Sequence, residues 1–207
     1  MKIGLVLAGG GGKGAYELGV WKALDELKLT KYITVFSGTS IGAFNSVLFA
    51  MNDMKKADEL WEEVTMDKLV PISKSELIKR GIGLYIGGKN LQLAKKFLNY
   101  KLEHGAIAND GAIEVVEKYL DFNKIKENNK ICYAACTKLS DFSAKYFKIN
   151  DFDEETGKKI VLASASLPLI YDCTEVLGEK YIDGEAKTIF LDRKSTRLNS
   201  SHIPLSR

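Results

Sequence analysis

The chain has 207 residues, 45% hydrophobic and 28% charged, the composition of one globular domain with a sizeable core rather than of a disordered segment. Its net charge of +3 does not mark a basic body, because four Lys/Arg and one Asp lie in residues 192–207 and the remaining 26 basic and 26 acidic side chains balance. A nucleic-acid partner held by surface charge is thereby excluded.

From the N-terminus, "KIGLVLA" is a short continuous apolar run ending in glycine, which predicts a strand buried on both faces of a parallel sheet. The run is too short for a signal-peptide core, and no stretch approaches about 18 apolar residues, so neither a signal peptide nor a membrane span is expected. The glycine-rich turn "GGGGKG", Gly9 to Gly14, follows, and then a helix whose Tyr16, Val20, Ala23, Leu24 and Leu27 predict one face packed on the sheet. "YITVFSG" reads as a second strand, "AFNSVLFAM" as a helix buried nearly all round, and "DMKKADELWEEV" as an amphipathic helix through Met54, Ala57, Leu60 and Val64. The βαβα order predicts a parallel sheet flanked by helices.

Residues Met66 to Asp110 break the pattern with glycines mixed among Ile, Leu and Tyr, and read as an excursion outside the sheet. Beyond it come a helix at "AIEVVEKYL", a strand at "KICYAACT", an antiparallel or edge strand at "AKYFKI", and a helix around "EETGKKIVLASAS" closed by Pro168. "TEVLGEKYIDGE" reads as a hairpin turning at Leu177 to Lys180, with its second strand ending at Asp183. Cys132, Cys136 and Cys173 are odd in number and widely set, and read as reduced core residues of a non-oxidising compartment. The Ser-rich, basic tail "DRKSTRLNSSHIPLSR" has no apolar period and resembles the translation of a sequencing adapter. Residues 1–191 are accordingly expected to be one C-terminally truncated domain, and 192–207 a non-native tail.

Chemistry concentrates at the turns. Gly9, Gly11 and Gly14 match the spacing of a dinucleotide-binding turn, yet a glycine-rich turn at a helix N-terminus presents N–H groups equally to a transition-state oxyanion. A dinucleotide site wants an acidic residue at the end of the second strand, about 20 residues on. That strand ends in "GTSIG", Gly38 to Gly42, which places Ser40 in a nucleophile-elbow pattern between strand and helix. The two histidines, His104 in the irregular excursion and His202 in the foreign tail, are poorly placed to serve as the base, although Ser40, Asp183 and His202 formally supply a triad order. Asp183 in "YIDGE" is the better placed partner for Ser40.

"GGGGKG", "GTSIG", "ASASLP" and "YIDGE", in this order and spacing, resemble the patatin-like phospholipases. The resemblance implies an α/β fold, a three-layer sandwich with a mostly parallel central sheet and helices on both faces. It implies Ser40 as nucleophile, Asp183 as the single partner of a Ser-Asp dyad, and the N–H groups of Gly10 and Gly11 as the oxyanion hole. Gly9, Gly12, Lys13, Gly14, Gly38, Gly42 and Gly184 belong to its motifs. The implied reaction is hydrolysis of fatty-acyl esters of phospholipids or related lipids, without metal or organic cofactor. The expected protein is cytoplasmic, visits a membrane surface transiently, and has no oligomeric state set by the resemblance. Ile82, Leu84, Tyr85 and Ile86 are expected either to form an acyl-chain wall or lipid-facing lid, or merely to pack on the domain. Where the family's third motif has Asp-Gly followed by Gly or Ala, this chain has Glu185, a larger side chain expected to disturb the turn that carries Asp183. Two other readings stay open: a catalytically silent module of the same fold, and a dinucleotide-binding protein.

Overall fold

The computed structural model describes residues 2–64, 110–168 and 170–186. The expected excursion with Ile82, Leu84, Tyr85, Ile86 and His104, and the tail with His202, lie outside the described residues.

The strands are β1 (Ile3–Leu7), β2 (Ile33–Thr39), β3 (Ile131–Lys138), β4 (Ala144–Lys148), β5 (Thr174–Val176) and β6 (Glu179–Asp183). The helices are α1 (Gly14–Glu26), α2 (Ile41–Ala50), α3 (Met54–Glu63), α4 (Asp110–Tyr119), α5 (Phe122–Glu127) and α6 (Glu154–Ala165). The expected α/β class is what is observed: β1, β2 and β3 are parallel neighbours, and the sheet runs β1-β2-β3-β6-β5 with β4 added to β3. β4 pairs antiparallel with β3, as its alternation predicts. Leu177 and Gly178 both have positive φ, which gives the β5–β6 hairpin a two-residue turn of the kind that matches strand twist.

Local chemistry starts three of the helices. Asp53, Asp121 and Asp153 each cap a helix N-terminus by accepting a backbone N–H, at 3.1, 3.1 and 2.7 Å. The Asp121 cap opens α5, a helix that the sequence reading does not anticipate. By contrast, α1 and α2 have no side-chain cap, so their N-termini stay open toward the glycine turn and the elbow.

The core forms where α2 and α6 cover the face of β3 that carries Cys132 and Cys136. The two thiols, free and in the core as expected, donate to Ser46 O and Ile160 O, each at 3.6 Å, and burial pushes both far up. Helix α2 is buried from Gly42 to Ala50, as its composition predicts. Helix α1 corrects the expectation. Tyr16 and Leu27 are 76% and 68% exposed, and the buried stripe is Gly14, Leu18 and Trp21. The inward Trp21 ring stacks on Phe49 at 5.1 Å and meets Phe36 edge-on at 5.6 Å. Strand β1 differs as well: Gly4 and Val6 are exposed, so one of its faces is open, in keeping with its place at the end of the strand order.

Candidate active site

Ser40 sits between β2 and α2 with φ 56° and ψ −129°, a conformation that an L-residue holds only under constraint, at a cost of about 1–3 kcal/mol. Two glycines supply the constraint. A Cβ on Gly38 would lie 2.0 Å from Gly42 O, and a Cβ on Gly42 would lie 2.4 Å from Leu7 O. Strand end, elbow and first helical turn therefore touch backbone to backbone, and larger residues would force them apart. The Ser40 N–H donates to Ser164 Oγ at 3.0 Å, and that hydroxyl donates to Ala135 O at 2.6 Å. Ser164 lies in the "ASASLP" stretch, whose hydroxyls periodicity alone leaves without a role.

Asp183 reaches Ser40 through the register of β3. Cys136 has Lys145 of β4 on one side and Asp183 on the other, while Ala135 has Tyr146 of β4 on one side and Thr39 on the other. Strands β2 and β6 thus share one edge of β3 and run toward each other, their carboxyl ends stopping at adjacent positions. The two turns that follow, carrying Ser40 and Gly184, are pressed together: a Cβ on Gly184 would lie 2.7 Å from Thr39 Cγ2 and 2.4 Å from Ala135 O.

Asp183 is 1% exposed. Burial pushes its pKa up to about 6, against the opposing pull of the Ser40 hydroxyl and the Glu185 N–H, with the Glu185 charge adding to the rise. The Glu185 N–H donates to Oδ1 at 2.8 Å, and buried Oδ2 has no hydrogen-bond partner among the described residues. A buried oxygen left in that state is costly and rare, and both of its lone pairs are open.

The glycine turn faces this pair. Gly10 and Gly11 have φ 141° and 55°, and Lys13 N donates back to Gly10 O at 3.2 Å. Among the described residues, neither the Gly10 nor the Gly11 N–H donates a hydrogen bond. The glycines are not equivalent. A Cβ on Gly12 would meet nothing within 4 Å, whereas one on Gly10 would run into the Lys13 side chain and one on Gly14 into the Trp61 ring at 2.4 Å. Gly9 N donates to Glu185 Oε1 at 3.1 Å. Glu185 therefore fits the turn, tied to the Asp183 carboxylate by its N–H and to the glycine turn by its side chain.

These groups form the polar end of a cavity of about 270 Å³ lined by Gly10, Gly11, Ser40, Asp183 and Glu185. The rest of its wall is apolar, including Leu60 and Trp61 of α3, Val115 and Val116 of α4, and Leu162 of α6. Trp61 is held by its indole N–H, which donates to Asn45 Oδ1 at 3.1 Å. The Asn45 amide in turn donates to Gly14 O at 3.1 Å and Glu17 Oε2 at 2.8 Å. Among the described residues, no group of three or more His, Cys, Asp or Glu is arranged to hold a metal ion. No helix there is long and apolar enough to cross a membrane.

The patatin-like phospholipase family matches residues 5–188, a span that holds the glycine turn, the elbow and the Asp-Gly turn. The chain belongs to that family. Among curated relatives, lysophospholipase nte1 of Aspergillus terreus is 52% identical over 48 residues, and lysophospholipase NTE1 of Kluyveromyces lactis is 48% identical over 50 residues. Those stretches are 23% and 24% of this chain and 3% of either relative, so the likeness is local. VipD from Legionella pneumophila has a similar fold, with a TM-score of 0.56 and 21% identity over 89% of this chain and 46% of VipD. The patatin-like sheet accounts for what sequence reasoning missed here. Ser164, Glu185 and Trp61 serve the site through contacts 124, 176 and 16 residues away in sequence, beyond the reach of a local pattern.

Proposed function

We propose that the protein is a serine lipid acyl hydrolase that cleaves fatty-acyl esters of phospholipids or related lipids. The observation that carries this reading is the convergence of β2 and β6, which sets Ser40 and a buried Asp183 with an unpaired Oδ2 at the polar end of one apolar cavity. The activity named for the lysophospholipase relatives and the family's name support it.

In this reading the acyl chain lies along Trp61, Val116 and Leu162, and the ester carbonyl reaches the polar end. Ser40 Oγ attacks the carbonyl carbon while Asp183 Oδ2 takes the hydroxyl proton, and the carbonyl oxygen becomes an oxyanion facing the Gly10 and Gly11 N–H groups. Collapse expels the alcohol, which takes the proton back from Asp183. Water then repeats the cycle on the acyl-serine and releases the fatty acid. A carboxylate is ordinarily a weak base toward a serine hydroxyl, and the burial that raises Asp183 to about 6 supports its use here. No step calls for a metal or cofactor. The substrate is reached at a membrane surface that the protein visits transiently from the cytoplasm.

The test is hydrolysis of a p-nitrophenyl acyl ester together with labelling by a fluorophosphonate. Ser40→Ala and Asp183→Asn each lose at least about 10³-fold in turnover, and Ser40→Ala loses the label. His104→Ala retains turnover, since a dyad uses no imidazole. Full turnover in Ser40→Ala refutes the assignment. A chain that ignores the probe and is thermally stabilised by a dinucleotide favours the nucleotide-binding alternative.

A further inference from the structure

A carboxylate from the far end of the described chain holds the first N–H group of the glycine turn. Glu185 takes the Gly9 N–H at 3.1 Å, while the next two N–H groups, of Gly10 and Gly11, donate to nothing among the described residues. Glu185 also holds the Asp183 carboxylate, since its own N–H donates to Oδ1 at 2.8 Å. One residue is thus bonded to both halves of the site. The three groups are close: the position of a Cβ on Gly9 lies 2.7 Å from Glu185 Oε1 and 3.0 Å from Ser40 Cβ.

We propose that Glu185 is a positioning residue that straps the glycine turn to the Asp183 turn and thereby aims the Gly10 and Gly11 N–H groups at the carbonyl carried by Ser40. This rests on the hydrolase reading for its catalytic consequence, but the strap itself is a contact between two turns. The turn needs it. Gly9, Gly10 and Gly11 lack side chains to anchor them, two of the three have positive φ, and the Lys13 N–H to Gly10 O bond is internal to the turn. A carboxylate accepting a backbone N–H is also among the stronger hydrogen bonds available for such a task. It occupies Gly9 alone and leaves the neighbouring N–H groups to a reacting ester.

The charge of Glu185 has a second effect, through Asp183. The titratable groups on the elements around this pair are Cys136 of β3, Lys13 and Glu17 at and after the glycine turn, and Tyr171 on the cavity wall. Of these and Glu185, Glu185 alone acts on the Asp183 carboxyl by its charge, in the direction of a higher pKa. Glutamine at 185 keeps the acceptor for Gly9 and removes the charge. Alanine removes both.

The experiment measures kcat, KM and the pH profile of ester hydrolysis, with hydrogen exchange of the Gly9 amide, in the full chain and in three variants. Glu185→Ala lowers kcat by about tenfold or more, leaves KM within about twofold because the apolar wall is intact, and speeds Gly9 exchange by about tenfold. Glu185→Gln keeps Gly9 protected and kcat within about threefold, and its acid limb moves to lower pH. Where Glu185→Ala fails to fold, Glu185→Asp carries the test: it keeps the charge on an arm one methylene shorter, so Gly9 exchange rises and kcat falls. Wild-type kcat in Glu185→Ala, or in Glu185→Asp when that variant stands in, overturns the proposal. Absence of Ser40-dependent turnover in the parent chain overturns the hydrolase reading instead. In that event Gly9 exchange alone decides the strap, with wild-type protection in Glu185→Ala overturning it.

Discussion

Asp183 combines near-complete burial, one oxygen held by Glu185 and one oxygen without a donor. Burial of this kind favours the neutral carboxyl and makes the ionised form a stronger base than a surface aspartate. In the proposed mechanism the same property sets a limit on turnover: the proton of Ser40 passes only to an ionised carboxylate, so activity is expected to fall as pH drops through the raised pKa. The expected kcat profile for ester hydrolysis therefore has an acid limb with an apparent pKa near 6, the value of the buried carboxyl. Turnover that is flat from about pH 4.5 to 8 counts against Asp183 as the base, because an aspartate at its ordinary value and a buried one differ most in that window.

At the scale of elements, α1 shows how a single close approach overrides apolar periodicity. The stripe through Tyr16, Val20 and Leu27 has helical spacing, yet α1 turns Gly14, Leu18 and Trp21 inward, because Gly14 allows the Trp61 ring of α3 and Ile41 of α2 to come against its backbone. Two glycines of the same helix then behave oppositely. A methyl group at Gly14 would lie 2.4 Å from the ring that lines the cavity, and Gly14→Ala is expected to destabilise the protein by about 1–3 kcal/mol and to reduce turnover. Gly19 has nothing within 4 Å of its Cβ position, and Gly19→Ala is expected to stabilise by about 0.5–1 kcal/mol through helix propensity alone. Urea unfolding of the two variants checks both signs. Equal effects would mean that contact with Trp61 does not set the position of α1.

For the whole molecule, the buried carboxylate is a standing cost to the fold. An acid whose folded pKa lies above its unfolded value retains its proton more tightly when folded, so stability falls as pH rises between the ordinary 3.8 and about 6, and stays reduced above. A rise of that size corresponds to on the order of 3 kcal/mol at neutral pH. Asp183→Asn, inactive by the proposed mechanism, is therefore expected to melt several degrees above the parent at pH 8. The advantage shrinks as pH falls and is gone only below about pH 3, under both values, where the parent carboxyl is protonated in both states. A melting temperature at or below that of the parent at pH 8 shows that Asp183 is not destabilising as the charged form.

The patterns legible in the sequence are those that short range decides. Apolar runs ending in glycine marked the strands, Pro168 and the Asp-Gly turn marked ends, and Gly38, Ser40 and Gly42 marked an elbow, because each rests on backbone sterics within a few residues. The family could be read from the same turns, since their order along the chain is itself a one-dimensional property. Pairing across the sheet lies outside such reasoning. That β2 and β6 meet end to end along β3, bringing Ser40 against Asp183, depends on the register of strands separated by most of the chain. The fit of Glu185 depends on it too. Beside Asp183 in sequence it is only a bulky residue in a tight turn, and it becomes a partner for Gly9 once packing brings the first and last turns of the described chain within hydrogen-bond distance. The burial that raises Asp183 has the same origin, because water is excluded by side chains from several elements at once and no local pattern records that sum.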